Sequence, residues 1–186
     1  MVLTELSQLA EREHLLIAAS RGYGLDVSSL PDKLGALRAA TSALSTARVG
    51  HALIGGLAVG IRSGIPRATL DIDFAVPSGS DRAALGKILV AASFQLIGSF
   101  AHSINFKHDS GEPLQLALDP AFDAMIERAE PLTVGSFTVH VVTKADLLAM
   151  KRRAAADPAR RRSKALRDVA DIALLEGDVP EENEGW

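Results

Sequence analysis

The chain has 186 residues, 47% of them hydrophobic, which is enough for one compact domain with a sizeable core and argues against a second. There is no cysteine, so disulfides and thiolate metal sites are excluded and a reducing cytosol is the natural compartment; the formal charge of −3 gives no global pull toward nucleic acid. Glu5, Glu11 and Glu13 stand where a secretion signal would be basic and apolar, and the longest apolar run, Ala52 to Ile61, is half the ~20 residues that span a bilayer, so a soluble cytoplasmic protein with no membrane partner is expected.

In chain order, residues 1–48 read as a helical segment that covers the core. Leu34, Leu37 and Leu44 fall at helical spacing after a Ser29-Leu-Pro31 start signal. Ala52 to Ile54 reads as a short buried strand, Gly55-Gly56 as a tight turn, and Leu57 to Arg62 as the first turns of a helix. Leu70 to Val76 alternates as a strand. Pro77 to Asp81 then caps a helix whose Leu85, Ile88, Leu89 and Ala92 form an apolar stripe. Ala101 to Lys107 and Pro113 to Leu118 pattern as a hairpin around Asp109-Ser-Gly111. Phe122, Met125, Ile126 and Ala129 mark a short helix, and Phe137 to Val142 a further strand. A helix begins near Thr143, whose hydroxyl can cap it, and helices continue to about residue 176. This order predicts an α/β (α+β) domain with a mixed β-sheet over residues 49–176 and an acidic tail over 177–186. Charge is uneven along the chain: residues 151–167 hold eight Lys or Arg against one Asp.

The chemistry gathers around residues 53–74. In the strand of period two, Asp71 and Asp73 share a face with Cα atoms roughly 7 Å apart, a spacing at which two hard oxygen ligands can share Mg²⁺. Upstream, the exposed N–H groups of the helix after Gly55-Gly56 can receive a phosphate. A Gly-Gly turn followed about fifteen residues on by Arg67-x-Thr69-x-Asp71-x-Asp73 resembles the signature of the DNA polymerase β-type nucleotidyltransferase superfamily, in its minimal AbiEii-like branch of toxin-antitoxin and abortive-infection proteins. Asp146 to Lys151, and Lys164 to Asp171, are similar to the family's downstream helices.

That resemblance implies a nucleotidyltransferase-type sheet with helical terminal segments. It also implies Mg²⁺-dependent transfer of a nucleoside monophosphate from an NTP to a hydroxyl of an RNA, such as tRNA, or of a protein. Asp71 and Asp73 would be the catalytic metal ligands; Gly55, Gly56, Arg67, Thr69 and Lys151 would bind the nucleotide, and a cognate protein partner is implied by the branch. Superfamily enzymes use a third carboxylate on a neighbouring strand, and the matching stretch here, Leu114-Gln-Leu-Ala117, places Gln115 there. Glutamine offers a neutral carbonyl and cannot take a proton, so the alternative is a degenerate fold that binds nucleotide or a partner protein without turnover. Asp119 lies on the same strand face roughly 13 Å further on, but its place before Pro120 predicts a helix cap.

Each residue also has a plainer reading. Gly55-Gly56 fits an ordinary turn; Asp71 and Asp73 fit an edge strand or the Asp-x-Asp site of a nucleotide-sugar glycosyltransferase. Arg67 fits a phosphate contact or a structural ion pair, and Lys151 a phosphate contact or a solvated helical lysine. Lys164 with Asp168, and Arg167 with Asp171, are spaced i, i+4 and are expected to be surface ion pairs; Arg160-Arg-Arg162 reads as an exposed loop that either grips an RNA backbone or keeps the surface soluble. The five histidines have no ligand spacing, and His51 and His102 are read as structural or exposed.

Overall fold

The computed structural model describes residues 32–65, 67 and 69–178. The Ser29-Leu-Pro31 start signal, the first part of the 1–48 segment and nearly all of the acidic tail lie outside the described residues.

The first helix among the described residues, α1 (Lys33–Thr46), is capped by Asp32, whose carboxylate accepts from the Gly35 N–H, and buries Ala36, Leu37, Ala40 and Leu44 at i, i+3/i+4 spacing. Seven strands and five more α-helices follow: β1 (Ala52–Ile54), α2 (Gly55–Ser63), β2 (Ile72–Ala75), α3 (Arg82–Val90), β3 (Phe94–Phe100), β4 (Ser103–His108), β5 (Pro113–Ala117), a 3₁₀ turn (Pro120–Phe122), α4 (Asp123–Glu127), β6 (Glu130–Val134), β7 (Phe137–Val141), α5 (Lys144–Ala156) and α6 (Arg162–Glu176). The strands form one mixed sheet in the order β3-β4-β5-β2-β1-β7-β6, with β2 parallel to β5 and β1 parallel to β7. The α/β architecture expected from the element order is the one observed.

Strand alternation gives this sheet two unlike faces. Ile72 and Phe74 of β2 align with Leu114 and Leu116 of β5, and these with Phe106 and Ile104 of β4; all six are buried. The intervening positions, Asp73, Gln115 and Asn105, point to the opposite side with the small residues Ala75 and Ala117. On that side α2, α5 and α6 pack against one another. One face is therefore core, and the other is a polar floor between helices.

Two strands are absent from the sequence reading, β3 and β6, and they are the two edges of the sheet. An edge strand needs only one hydrogen-bonding partner and no buried face, so its alternation is weak: β3 carries Gly98 and a register shift between Leu96 and Gly98, and β6 carries Pro131. The helix expected over the Phe122 to Ala129 stripe is present but short, because Asp119 caps a 3₁₀ turn first, accepting from the Ala121 N–H at 2.9 Å. The capping role read from Asp119-Pro120 is thus correct. Thr143 likewise caps α5 by accepting from the Asp146 N–H.

Lys33 ties α1 to the turn between β4 and β5 and to the segment that leads into β2. Its ammonium donates to the Glu112 carboxylate at 2.5 Å and to the Leu70 carbonyl at 2.9 Å, one residue before Asp71, with both charged groups almost fully buried.

Candidate active site

The antiparallel register pairs Ile54 of β1 with Asp73 of β2, so the turn that leaves β1 meets the carboxylate directly. Gly55 has φ +69°, the left-handed region where glycine alone is unstrained, and a Cβ there would stand 2.8 Å from Asp73 Cγ and closer still to its Oδ2. At Gly56 a Cβ would stand 2.8 Å from Thr69 Cβ and Oγ1 and nearer to Arg67 Nη1. The two glycines therefore serve close approach: the first admits Asp73, the second Arg67 and Thr69. Thr69 Oγ1 lies 3.3 Å from Asp71 Oδ1, which gathers Gly55, Gly56, Arg67, Thr69, Asp71 and Asp73 into one site. Asp71 sits just before the strand and is exposed, while Asp73 is inside it and partly covered.

Helix α2 starts at this turn with no side-chain cap, so the free N–H groups of its first turn are not occupied by a capping oxygen. Arg62, at its other end, donates to the Val141 and Val142 carbonyls at 2.8 Å each and anchors the helix to the end of β7.

Lys151 is neither solvated nor free. It is buried on α5, and its ammonium lies 3.0 Å from Asp168 Oδ1 and 2.7 Å from Asp171 Oδ2. Asp171 also pairs with Arg67 Nε and accepts from its Nη2 at 3.2 Å, and Asp168 pairs with Arg160 Nε. The result is an alternating chain, Arg67–Asp171–Lys151–Asp168–Arg160, that joins the glycine turn to α5 and α6. This corrects the reading of Asp168 and Asp171 as surface partners of Lys164 and Arg167: both carboxylates are buried, and their partners are distant in sequence. It also corrects the exposed-loop reading for Arg160, which is half-buried in an ion pair, and for Arg162, which begins α6. The signal that locates the two aspartates is their spacing with Leu175, at i, i+3 and i+7 along the inward stripe of α6. It is masked because Leu166 and Val169 lie on the outer surface of the same helix, so the helix buries charge and exposes apolar side chains.

Burial and the neighbouring Asp71 push the Asp73 carboxyl up to about 7, against a smaller opposing pull from Lys151, Arg67 and Lys164. Two carboxylates that repel one another in this way suit one hard divalent cation, completed by water. The next position across the sheet does not extend the set. Gln115 aligns with Asp73, and its amide donates to Asn105 Oδ1 at 3.3 Å, so the row Asp73–Gln115–Asn105 holds one acid and two amides. Among the described residues no group of three or more His, Cys, Asp or Glu side chains is arranged to hold a metal. His51 is remote from this chemistry: it is buried edge-on to Phe74, its Nδ1 lies 2.8 Å from the Val49 carbonyl, and burial lowers its pKa.

The nucleotidyl transferase AbiEii toxin family of the type IV toxin-antitoxin system matches residues 37–184. The chain belongs to this family. No curated protein matches it. Among solved structures, the AbiEii-family chain is similar to the antibiotic-resistance factor ANT(2″)-Ia, with TM-score 0.58 and 16% identity over 83% of this chain and 87% of the other. It is also similar to an antigenic nucleotidyltransferase-like protein from Paracoccidioides brasiliensis, with TM-score 0.54 and 20% identity over 83% and 81%. A third is the lincosamide antibiotic adenylyltransferase LnuA, with TM-score 0.54 and 14% identity over 77% and 96%. At these identities the likeness establishes the nucleotidyltransferase fold of this AbiEii-family chain. No helix among its described residues is long and apolar enough to cross a membrane.

Proposed function

We propose that the protein is a Mg²⁺-dependent nucleotidyltransferase that moves a nucleoside monophosphate from an NTP to a hydroxyl of an RNA, in the cytosol. The observation that carries this reading is the convergence of Asp71, Asp73, Thr69 and Arg67 on the Gly55-Gly56 turn at the uncapped start of α2. Asp71 and Asp73 would hold Mg²⁺, which when bound neutralises triphosphate charge and lowers the pKa of the attacking hydroxyl. The first turn of α2 begins beside these side chains with no side-chain cap, so its N–H groups are the donors we assign to the phosphates. Lys151 is held one ion pair away, its charge already shared between Asp168 and Asp171, so it shapes the local field more than it grips phosphate directly. In the reaction the hydroxyl oxygen bonds to the α-phosphorus, the bond to the β-phosphate oxygen breaks, and pyrophosphate leaves. Gln115 cannot accept the hydroxyl proton, which leaves Asp71 and Asp73 as the carboxylates of the site able to take it. Exposed Arg161, Arg162, Lys164 and Arg167, at and just before the start of α6, would supply charge for an RNA backbone such as that of tRNA. The family's toxin-antitoxin description adds a cognate partner protein to the expected contacts.

One observation favours a second reading: Gln115 beside Asp73, hydrogen-bonded to Asn105, leaves the site one carboxylate short and suits a protein that binds nucleotide without turning it over. A single experiment separates the two. The protein is incubated with each α-labelled NTP, Mg²⁺, and either total tRNA or protein alone. Labelled RNA that disappears with Asp73→Asn supports the transferase; label on the protein instead makes the acceptor a protein. Mg²⁺-dependent NTP binding without any transfer supports the second reading, and no binding overturns both.

A further inference from the structure

The polar floor does not end at Gln115. Backbone at Asp119 stays extended, at φ −100° and ψ 129°, and the Leu118 N–H continues the ladder to the His102 carbonyl, so alternation carries Ala117 and Asp119 onto the face of Asp73 and Gln115. From Gln115 to Asp119 is roughly 13 Å of strand. At its far end lies a groove of about 510 Å³, walled on one side by Phe122 and Met125 and on the other by Met150, Ala154 and Arg160. That size is within the range of pockets that hold small ligands, about 300–1,000 Å³.

The groove shares helix α5 and Arg160 with the ion-pair network of the candidate site. Met150, Arg153, Ala154 and Asp157 repeat at i, i+3, i+4 and i+7, so one stripe of α5 forms the wall, and Lys151 stands on the stripe beside it. Arg160, at the groove's lip, belongs to the ion-pair chain that includes Arg67, whose guanidinium lies against Gly56. The Arg128–Asp146 pair clamps α4 to the first turn of α5, which fixes the two walls relative to each other. Aromatic, thioether and methyl surfaces flanked by guanidinium groups suit a flat, polar-edged heterocycle, by stacking and by sulfur and cation contacts to its π-face.

We propose that this groove binds the nucleobase of the NTP whose phosphates sit at Gly55-Gly56. The inference rests on the transferase or nucleotide-binding reading above and adds the place of the base, with Phe122, Met125 and Met150 as its contacts.

The test compares Mg²⁺-NTP with Mg²⁺-tripolyphosphate by calorimetry, on wild-type protein, Ala154→Trp, which fills the groove, and Met125→Glu, which charges it. The expected result is NTP binding weakened at least 10-fold in both variants, with tripolyphosphate binding unchanged and with wild-type thermal unfolding. Unchanged tripolyphosphate affinity shows the phosphate end to be folded even where a variant lowers the melting temperature. Wild-type NTP affinity in either variant overturns the base site, and the groove is then free for the acceptor. Failure of wild-type protein to bind either ligand overturns the nucleotide reading itself.

Discussion

Replacing Gly55 with alanine does two separable things, and Gly64 provides the control that separates them. Both glycines are left-handed, at φ +69° and +76°, so an alanine at either pays a backbone penalty of roughly 1–2 kcal/mol. Around Gly64, the residue that ends α2, a new Cβ meets nothing within 4 Å. Around Gly55 it stands 2.8 Å from Asp73 Cγ, whereas carbon atoms in contact settle at about 3.5–4.0 Å, so the carboxyl must retreat by about 1 Å. A misplacement of that size at a reacting centre costs on the order of 10²-fold in rate. In urea unfolding Gly64→Ala should therefore lose roughly 1–2 kcal/mol while keeping Mg²⁺-dependent NTP affinity and transfer. Gly55→Ala should lose at least as much stability and, in addition, about two orders of magnitude in transfer. Gly55→Ala with wild-type binding and transfer would refute the argument that the turn exists to admit Asp73.

Three further outcomes follow from the same geometry. The Asp73 carboxyl rises from 3.8 to about 7 on folding, so without metal the unfolded chain releases its proton first and native stability falls as pH rises between those values, by at most about 4 kcal/mol; urea titrations of Asp73→Asn should lack this loss, and saturating Mg²⁺ should shrink it in the wild type. Lys33→Met strands the Glu112 carboxylate in the interior and should cost about 3–5 kcal/mol in unfolding free energy, most of it recovered in Lys33→Met/Glu112→Leu. Gln115→Asp puts a third carboxylate beside Asp73; it should lower the melting temperature of the metal-free protein and raise both Mg²⁺ affinity and transfer, as read by thermal shift and product labelling.

Much of the candidate site is local enough to be legible in sequence. The glycine pair, Thr69 and the two aspartates lie within one β–turn–α–loop–β unit, and Gln115 reaches Asp73 because two parallel strands with the same alternation align in register. The helical network escapes a one-dimensional reading. Asp168 and Asp171 have cations four residues before them, which satisfies them on an isolated helix, and only the tertiary arrangement turns them inward to Lys151, Arg67 and Arg160. The edge strands escape for a related reason, since neither β3 nor β6 has the buried partner on both sides that sharpens a strand's pattern.

The two levels meet in the charge balance of the site. Among the described residues the network joins Arg67, Lys151 and Arg160 to Asp168 and Asp171, and Lys151 and Arg67 pull against the rise that burial and Asp71 impose on Asp73. A third carboxylate at position 115 would add repulsion to an Asp73 already held up near neutrality, and glutamine removes that repulsion while keeping a polar hydrogen-bonding side chain on the floor. On the proposed reading, glutamine at this position leaves Asp71 and Asp73 as the two carboxylates that would hold the metal. On that reading, affinity for nucleotide would rest on the glycine turn, the start of α2 and the groove beyond Asp119. Turnover rests on whether two aspartates can both hold a cation and accept a proton, which makes Gln115→Asp the substitution that should move rate more than binding.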